Sequence, residues 1–478
     1  MKKYRVIGPP GTGKTRNLLQ TVQKYVDEGI ALENIGYFAF TRKAANEARD
    51  RFLKVNTHLT KKDLPYFQTM HSFAFNQLGL KEENVMQEEH YKKIGETSGI
   101  QIKYASHEAN QWNGIFSSDS EYLSLINLAR VREITPIEQF DRNEHLTWVE
   151  RFKLDAIAKE IESFKKTYGL IDFNDMIERF LKLENIKKFQ VVIVDEAQDL
   201  SKLQWSMLDK ITRDTNAIVW IAGDDDQAIF GWAGADVRSF QTWKGIEVRL
   251  TKSQRVPIDI QTKALDIITR VGINRIQKDY LPKEERGEVI ERFKLTDVDL
   301  SQGDWLILTR TNSLLKPLMP ILKRQGHFFQ TAQGNSIGKS LYEDIQVWNK
   351  MRNEEEVPEV QSQRVLERMS EVDITLTWQK AFTKVAPSQI DYMDAMLNNG
   401  EDLTETPRIK LSTIHGAKGG EATNVVLFLN QTTNTMKGAQ KSPEKQDEEY
   451  RVWYVGVTRC AKNLYLIKAN NKSKEFKI

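Results

Sequence analysis

Apolar residues recur along this chain in two rhythms. Short solid runs such as Tyr4–Ile7, Val191–Val194, Ala217–Ala222 and Val425–Leu429 have the length and β-branched content of strands buried on both faces. Between them lie longer stretches in which apolar positions return every three or four residues, the spacing of amphipathic helices. The two signals alternate over 1–75 and 169–250, and again over 255–335 and 406–478. That pattern predicts an α/β protein with two parallel sheets, each assembled from two separated pieces of chain. Right-handed βαβ units would place ligands at the C-terminal ends of the strands. The stretch between Phe73 and Asp172 is mostly helical in pattern and contains Trp112 and Trp148. A shorter one between Asn312 and Ile409 has helical spacing at 343–352 and 365–369, with a Glu/Pro-rich break at Glu354-Glu355-Glu356-Val357-Pro358. The polar segment 431–449 reads as a mobile surface loop, and the lysine-rich 468–478 as a frayed end.

Composition narrows the class. Of the 478 residues, 40% are hydrophobic and 28% charged, the balance of a soluble globular chain and not of a disordered one. At about 150 residues per domain, the length suggests roughly three domains. Lys and Arg total 69 against 66 Asp and Glu, a net charge of +3. Any binding to phosphate must then use a local groove, not a uniformly basic surface. The single cysteine, Cys460, excludes an internal disulfide and a cysteine-rich metal site. The longest apolar runs fall far short of the roughly 18 residues that suggest a membrane span. The opening residues hold no stretch suited to a secretion signal. A reduced, cytoplasmic protein is expected.

The first strand run ends in Gly8-Pro9-Pro10-Gly11-Thr12-Gly13-Lys14-Thr15 and is followed by a helical pattern. Strand, glycine-rich loop and helix in this order are the context of a phosphate-binding loop. The glycines let backbone N–H groups turn inward around phosphates. Lys14 can reach the β- and γ-phosphates, the Thr15 hydroxyl can ligate Mg²⁺, and the helix points its positive end at the anion. Gly/Pro-rich turns are common, but they lack this flanking context.

A second buried run, Gln190–Val194, delivers Asp195-Glu196-Ala197-Gln198-Asp199 at its C-terminal end. Magnesium on a nucleotide needs an anionic oxygen ligand, and Asp195 is placed to hold it directly or through water. Glu196, next door, can polarise the attacking water as general base. A third run, Ala217–Ala222, leads into Gly223-Asp224-Asp225-Asp226-Gln227-Ala228-Ile229-Phe230-Gly231-Trp232. Gln227 at such a strand end can sense the γ-phosphate. Phe230 and Trp232 would present flat faces from one loop, although spacing alone favours the core for them.

With these three segments together, the chain resembles the UvrD/Rep family of superfamily 1 DNA helicases. Further segments follow in family order. Phe38-Ala39-Phe40-Thr41-Arg42-Lys43 looks like motif Ia, and Phe67-Gln68-Thr69-Met70-His71-Ser72-Phe73 like motif Ib. Asp172-Phe173-Asn174-Asp175 matches the short segment ahead of the second motif. Leu250-Thr251-Lys252-Ser253-Gln254-Arg255 looks like motif IV, and Ile307-Leu308-Thr309-Arg310 like motif IVa. Leu411-Ser412-Thr413-Ile414-His415-Gly416-Ala417-Lys418-Gly419-Gly420-Glu421 resembles motif V, and Glu448–Arg459 motif VI. The resemblance implies two RecA-like P-loop NTPase domains. The first would comprise 1–75 and 169–254, with a helical accessory subdomain at 76–168. The second would comprise 255–340 and 406–478, with a reduced insertion at 341–405. It also implies ATP and Mg²⁺, phosphate-directed arginines at Arg255 and Arg459, and a ribose contact at Glu421. Phe40, Phe230 and Trp232 fall where the family stacks DNA bases, and Arg42, Thr69, His71, Thr413 and His415 where it meets strand phosphates.

Some positions depart from the family pattern. The glutamine-bearing segment that recognises adenine ahead of the P-loop is missing, and Gln254 stands where an aromatic often precedes the motif IV arginine. Arg16 is then the remaining platform over the base. Ala233 occupies a position where the family often has arginine. The leading expectation is an ATP-driven helicase, monomeric, that moves 3′→5′ on single-stranded DNA and opens duplex at single-strand/double-strand junctions, with replication or repair proteins as partners, in a bacterial or phage-infected cell. One alternative is a translocase that strips proteins or remodels ends with little unwinding. Another, of a different class, is a catalytically silent DNA-binding adaptor. An RNA-directed enzyme is a further alternative, since stacking and phosphate contacts tolerate a 2′-hydroxyl.

Overall fold

The computed structural model describes residues 2–100, 120–142 and 149–478. Trp112 and Trp148, singled out above, lie outside them. The chain divides into two compact units. Unit 1 comprises Met1–Arg255, Ile268–Lys283 and Ser442–Tyr454, and unit 2 the remainder, Val256–Ile267, Glu284–Lys441 and Val455–Ile478.

Unit 1 is built on a six-stranded sheet. Its strands are β1 (Lys3–Ile7), β2 (Ile35–Phe38), β3 (Phe67–Gln68), β4 (Val191–Val194), β5 (Ile218–Gly223) and β6 (Ile246–Arg249), in the order β3-β2-β4-β5-β1-β6. Every pairing in it is parallel. β2 and β4 are buried along their whole length, as strands covered by helices on both faces must be. The helices Lys14–Asp27 and Arg42–Val55 bury Leu18, Val22, Ala45, Ala48 and Phe52 against this sheet. Thr41 caps the second of them by accepting from the Ala44 N–H at 3.0 Å.

Helices Glu88–Ser98, Glu121–Val131, Pro136–Asp141 and Arg151–Tyr168 follow. Several of them share a core of their own around Tyr91, Ile94, Leu123, Leu154, Ile157 and Ile161. A buried ion cluster fastens this group to the helix Phe173–Phe180. Arg130 meets Asp172 and Asp175 at 2.5 Å each, and Lys165 meets the same two carboxylates at 3.1 and 2.9 Å. Burial alone would raise the Asp172 carboxyl, but Arg130 and Lys165 hold it down at about 2.

β7 (Lys252–Pro257) and β8 (Leu281–Lys283) pair as a separate two-stranded sheet. Unit 2 carries a seven-stranded sheet made of β9 (Glu288–Arg292), β10 (Trp305–Thr309), β11 (Phe329–Thr331), β12 (Gly334–Asn335), β13 (Ile409–Thr413), β14 (Ala422–Phe428) and β15 (Cys460–Ile467), in the order β12-β11-β13-β10-β14-β15-β9. Only β11–β12 pairs antiparallel. The helices Lys339–Arg352, Glu359–Leu366, Trp378–Ala381 and Pro387–Asn398 do not form a separate body. Trp348, Trp378 and Met393 belong to the same buried cluster as the sheet residues Ile307, Ile409 and Val426. Two parallel-sheet domains of the RecA-like kind are therefore present, with the helical insertion of the second merged into its core.

The sequence-based reading differs from the structure in three places. Segments 268–283 and 442–454, read as parts of the second domain, cluster with unit 1. The polar segment read as a mobile loop contains the helix Thr433–Ala439 and the first turns of the helix Pro443–Val457. Most of its polar residues lie on the solvent faces of these helices, Asp447 and Glu449 are buried, and Thr432 caps the first helix. The C-terminal segment is docked, not frayed. Phe476 is buried and its N–H donates to the Leu429 carbonyl at 2.9 Å. Cys460 is fully buried, and that burial pushes its thiol up to about 12.

Candidate active site

The loop after β1 leads straight into the helix Lys14–Asp27. Gly13 precedes the helix with φ 84°, a left-handed conformation open to glycine. No side chain caps this helix and its first turn holds no acidic residue. Its N-terminal N–H groups and the positive end of its dipole therefore face the loop without an internal anion. Lys14 is 8% exposed; its ammonium donates to the Gly8 carbonyl at 2.9 Å and lies 4.0 Å from Glu196 Oε1. Arg16 is exposed on the same helix. Ser253 Oγ donates to the Pro10 carbonyl at 2.8 Å, and the Gln254 N–H to the Gly11 carbonyl at 2.8 Å. These bonds put half-buried Arg255 beside the loop, within unit 1.

Parallel pairing of β4 with β5 and β2 brings Asp195 to the same edge. Its Oδ2 accepts from Thr15 Oγ at 2.6 Å and from the Tyr37 hydroxyl at 3.1 Å. Burial and the neighbouring Glu196 push the Asp195 carboxyl up, against the opposing pull of Thr15, Lys14 and Tyr37. Tyr37 is fully buried and its hydroxyl is pushed well above its ordinary range by that burial and by Asp195. Thr15 and Asp195 thus present two oxygens to one point, at a separation suited to a shared divalent ion. Among the described residues there is no cluster of three or more metal-ligating side chains. The pair fits Mg²⁺, an ion that keeps waters and takes phosphate oxygens for its other ligands.

Glu196 adopts φ 53°, ψ 42°, a left-handed conformation that costs a non-glycine residue about 1–3 kcal/mol. Its Oε2 accepts from Gln198 Nε2 at 2.6 Å. Gln227 is buried in the loop after β5 and donates to Asp224 Oδ2 at 2.8 Å. The three consecutive aspartates of this loop converge on Lys278, which is buried and lies 2.9 Å from Asp224 and 3.0 Å from Asp226, with Asp225 also in contact. Arg275 grips Asp226 with two bonds of 2.8 Å. Burial would lower the Lys278 ammonium, but the aspartates hold it well above its usual range.

The candidate strand-binding residues divide by exposure. Trp232 is 50% exposed. Phe230 and Phe40 are buried, stacked on each other with centroids 5.5 Å apart. In this conformation neither offers a free face to a base. Arg42 is exposed, whereas Thr69 is buried and caps the helix Met70–Gln77 through the Ser72 N–H. His71 is buried, and that burial, with Arg42 nearby, pushes its imidazole from 6.5 down to about 4. A neutral imidazole cannot meet a phosphate through charge. The shift has a consequence for stability. Below pH 6.5 the unfolded chain takes up a proton that the folded one refuses, so stability falls as pH drops toward 4. Replacing His71 with asparagine should remove up to about 3 kcal/mol of that loss. Urea-unfolding midpoints of both proteins at pH 7 and pH 4.5 check it.

Arg459, Glu421, Thr413 and His415 belong to unit 2. Arg459 is 2% exposed and donates to the carbonyls of Val455 and Gly420 at 3.1 and 3.3 Å, while Glu421 is exposed. The structure also exposes roles that sequence reading passed over. Gln198 lies inside the acidic segment already singled out and Tyr37 just ahead of Phe38, but neither was given a role, and Lys278 has no motif-like neighbours in the chain; only the fold shows what the three contact.

A P-loop at the C-terminal edge of one parallel sheet, an Asp–Thr pair beside it and a second parallel sheet define a two-domain P-loop NTPase. The model for the UvrD/REP helicase N-terminal domain matches residues 1–245, and that for the UvrD-like helicase C-terminal domain residues 339–471. The chain belongs to the UvrD/REP helicase family. Its relatives include DNA helicase II of Haemophilus influenzae, 24% identical over 305 residues that cover 60% of this chain and 41% of that protein. A probable DNA helicase II homolog of Mycoplasma capricolum is 27% identical over 252 residues, 48% of this chain and 33% of that one. DNA helicase II of Escherichia coli is 25% identical over 244 residues, 48% and 32% of the two chains. The matches thus span about a third to two fifths of the relatives' length. No described helix is long and apolar enough to cross a membrane.

Proposed function

We propose that the chain is an ATP-dependent DNA helicase that travels 3′→5′ on single-stranded DNA and opens duplex ahead of it. The observation that carries this reading is the gathering of Lys14, Thr15, Asp195 and Glu196 at one P-loop, in the same unit as the exposed Trp232. In this reading Lys14 and the N–H groups of the Gly8–Thr15 loop bind the ATP phosphates, and Arg16 lies against the base. Asp195 and Thr15 would hold Mg²⁺, which would supply positive charge to the phosphoryl oxygens. Glu196 takes the proton of the attacking water, and Gln227 positions the γ-phosphate. Arg255 and Arg459 stabilise the transferring group, and Glu421 binds the ribose. The strand stacks on Trp232 and runs past Arg42, Thr413 and His415. The protein would act as a monomer on single-strand/double-strand junctions, alongside replication or repair proteins, in the cytoplasm of a bacterial or phage-infected cell.

A translocase that strips proteins and barely unwinds is the second reading. It is favoured by the helices of 339–398, which share the second sheet's core and form no separate body. ATP hydrolysis with and without a long unstructured DNA strand tests the first step. Displacement of a duplex carrying a 3′ or a 5′ tail then separates the two readings and the two directions. Hydrolysis indifferent to DNA would point to RNA or a protein as activator, and no hydrolysis at all to an adaptor. Trp232→Ala should cut strand-stimulated hydrolysis about tenfold or more at limiting DNA, the size of one lost base stack, and leave basal hydrolysis nearly unchanged. An equal fall in both rates would return Trp232 to a packing role.

A further inference from the structure

Gln198 is fully buried between the two loops that carry the chemistry. Its Oε1 accepts the backbone N–H of Asp224 at 3.1 Å. Its Nε2 donates to Glu196 Oε2 at 2.6 Å and to Asp199 Oδ2 at 3.2 Å. The amide has no freedom to turn over. A backbone N–H can only donate, so the carbonyl must face Asp224 and the NH₂ must face the carboxylates. The contact also needs glycine at position 223, because a β-carbon there would collide with Gln198 Oε1.

Asp224 continues the chain of bonds. Its Oδ2 accepts from Gln227 Nε2 at 2.8 Å, and Lys278 anchors its other oxygen at 2.9 Å. The candidate base and the candidate γ-phosphate sensor are thereby linked through one glutamine and one aspartate. The loop between β5 and the helix Val237–Thr242 is pinned at its far end as well. The Asp236 N–H donates to the Leu200 carbonyl at 2.8 Å, and Ser201 bridges Ala235. Trp232 lies between the two pins. The two pins therefore tie the position of this loop to that of the segment 198–201. Glu196, two residues upstream, is held in a strained backbone conformation that its surroundings must maintain.

We infer that Gln198 is a positioning residue that sets the Glu196 carboxylate according to the state of the Trp232 loop, and so couples strand binding to hydrolysis. The inference rests on the functional reading given above. Two variants separate the two bonds. Gln198→Met removes both. Gln198→Glu keeps an acceptor for the Asp224 N–H and sets a carboxylate against Glu196 and Asp199.

The experiment measures steady-state ATP hydrolysis with and without an unstructured oligo-dT strand, with binding of a fluorescent ADP analogue and of the strand measured separately. In both variants the ratio of stimulated to basal hydrolysis should fall about tenfold, as expected for a lost hydrogen bond to a charged group, while both affinities stay within about twofold of wild type. The ratio is taken on one preparation, so partial unfolding does not alter it. A wild-type ratio in both variants, with the two rates falling in parallel, would reduce Gln198 to a structural prop and overturn the inference alone. A wild-type protein whose hydrolysis ignores the strand would overturn the functional reading, and the coupling with it.

Discussion

Alanine in place of Lys14 should lower ATP hydrolysis by about a hundredfold to a thousandfold, the effect of removing one charged donor from developing phosphoryl charge. The lysine is nearly buried, so its ammonium has already shed most of its water and is held by the Gly8 carbonyl and near Glu196. Passing such a group to a phosphate requires little further desolvation, which is why its loss should be large. Truncation also removes the ammonium that lies 4.0 Å from Glu196 and that opposes the upward push on the Asp195 carboxyl. Affinity for the triphosphate should therefore fall together with turnover. A melting temperature close to wild type would separate this chemical effect from unfolding. Turnover within a few-fold of wild type would remove Lys14 from the catalytic set.

Glu196→Gln should be as damaging to turnover, about a hundredfold to ten-thousandfold, yet leave nucleotide binding intact or tighter. Glutamine has the same shape and the same difficulty with φ 53°, so the backbone strain is unchanged and the lost quantity is basicity. Removing this charge also relieves Asp195, whose carboxyl Glu196 helps to push up. The Asp195–Thr15 pair is then a better metal site than before. The expected signature is a protein that binds a fluorescent ATP analogue and Mg²⁺ at wild-type concentrations and does not turn over. Single-turnover hydrolysis measured beside equilibrium binding checks it. Near-normal hydrolysis would show that water is activated elsewhere.

The phosphate loop, the acidic strand end and the alternation of strands and helices were legible because each is local. Gly8–Thr15 needs only its flanking strand and helix to be recognised, and Asp195 only the apolar run before it. What the chain could not disclose is long-range. Nothing around Lys278 in sequence announces three aspartates, since its partners lie at Asp224–Asp226. Nothing around Tyr37, one apolar strand residue among others, points to the Asp195 carboxylate. His71 reads as a polar residue at a helix start, and only packing reveals its burial beside Phe173. Phe230 and Trp232, two residues apart, read alike. A short turn of 3₁₀ helix, Gly231–Ala233, sends one ring inward onto Phe40 and leaves the other in solvent. Membership of 268–283 and 442–454 in unit 1 was hidden for the same reason: helical spacing shows that a face is buried, not which sheet buries it.

That last arrangement governs how the molecule can be made. A chain emerging N-terminus first has produced all six strands of the first sheet by Arg249. Asp447 accepts the backbone N–H groups of Gly272 and Ile273 at 3.0 and 2.8 Å. It is synthesised only after most of the second sheet, with β15 alone still to come. Closing so long a loop is slow. Until then the first unit waits with part of its surface uncovered, open to proteases and chaperones. A single cut between the two sheets would separate neither unit whole, and exchanging the N-terminal half with a relative would leave the segment Ser442–Tyr454 facing a surface it did not evolve against.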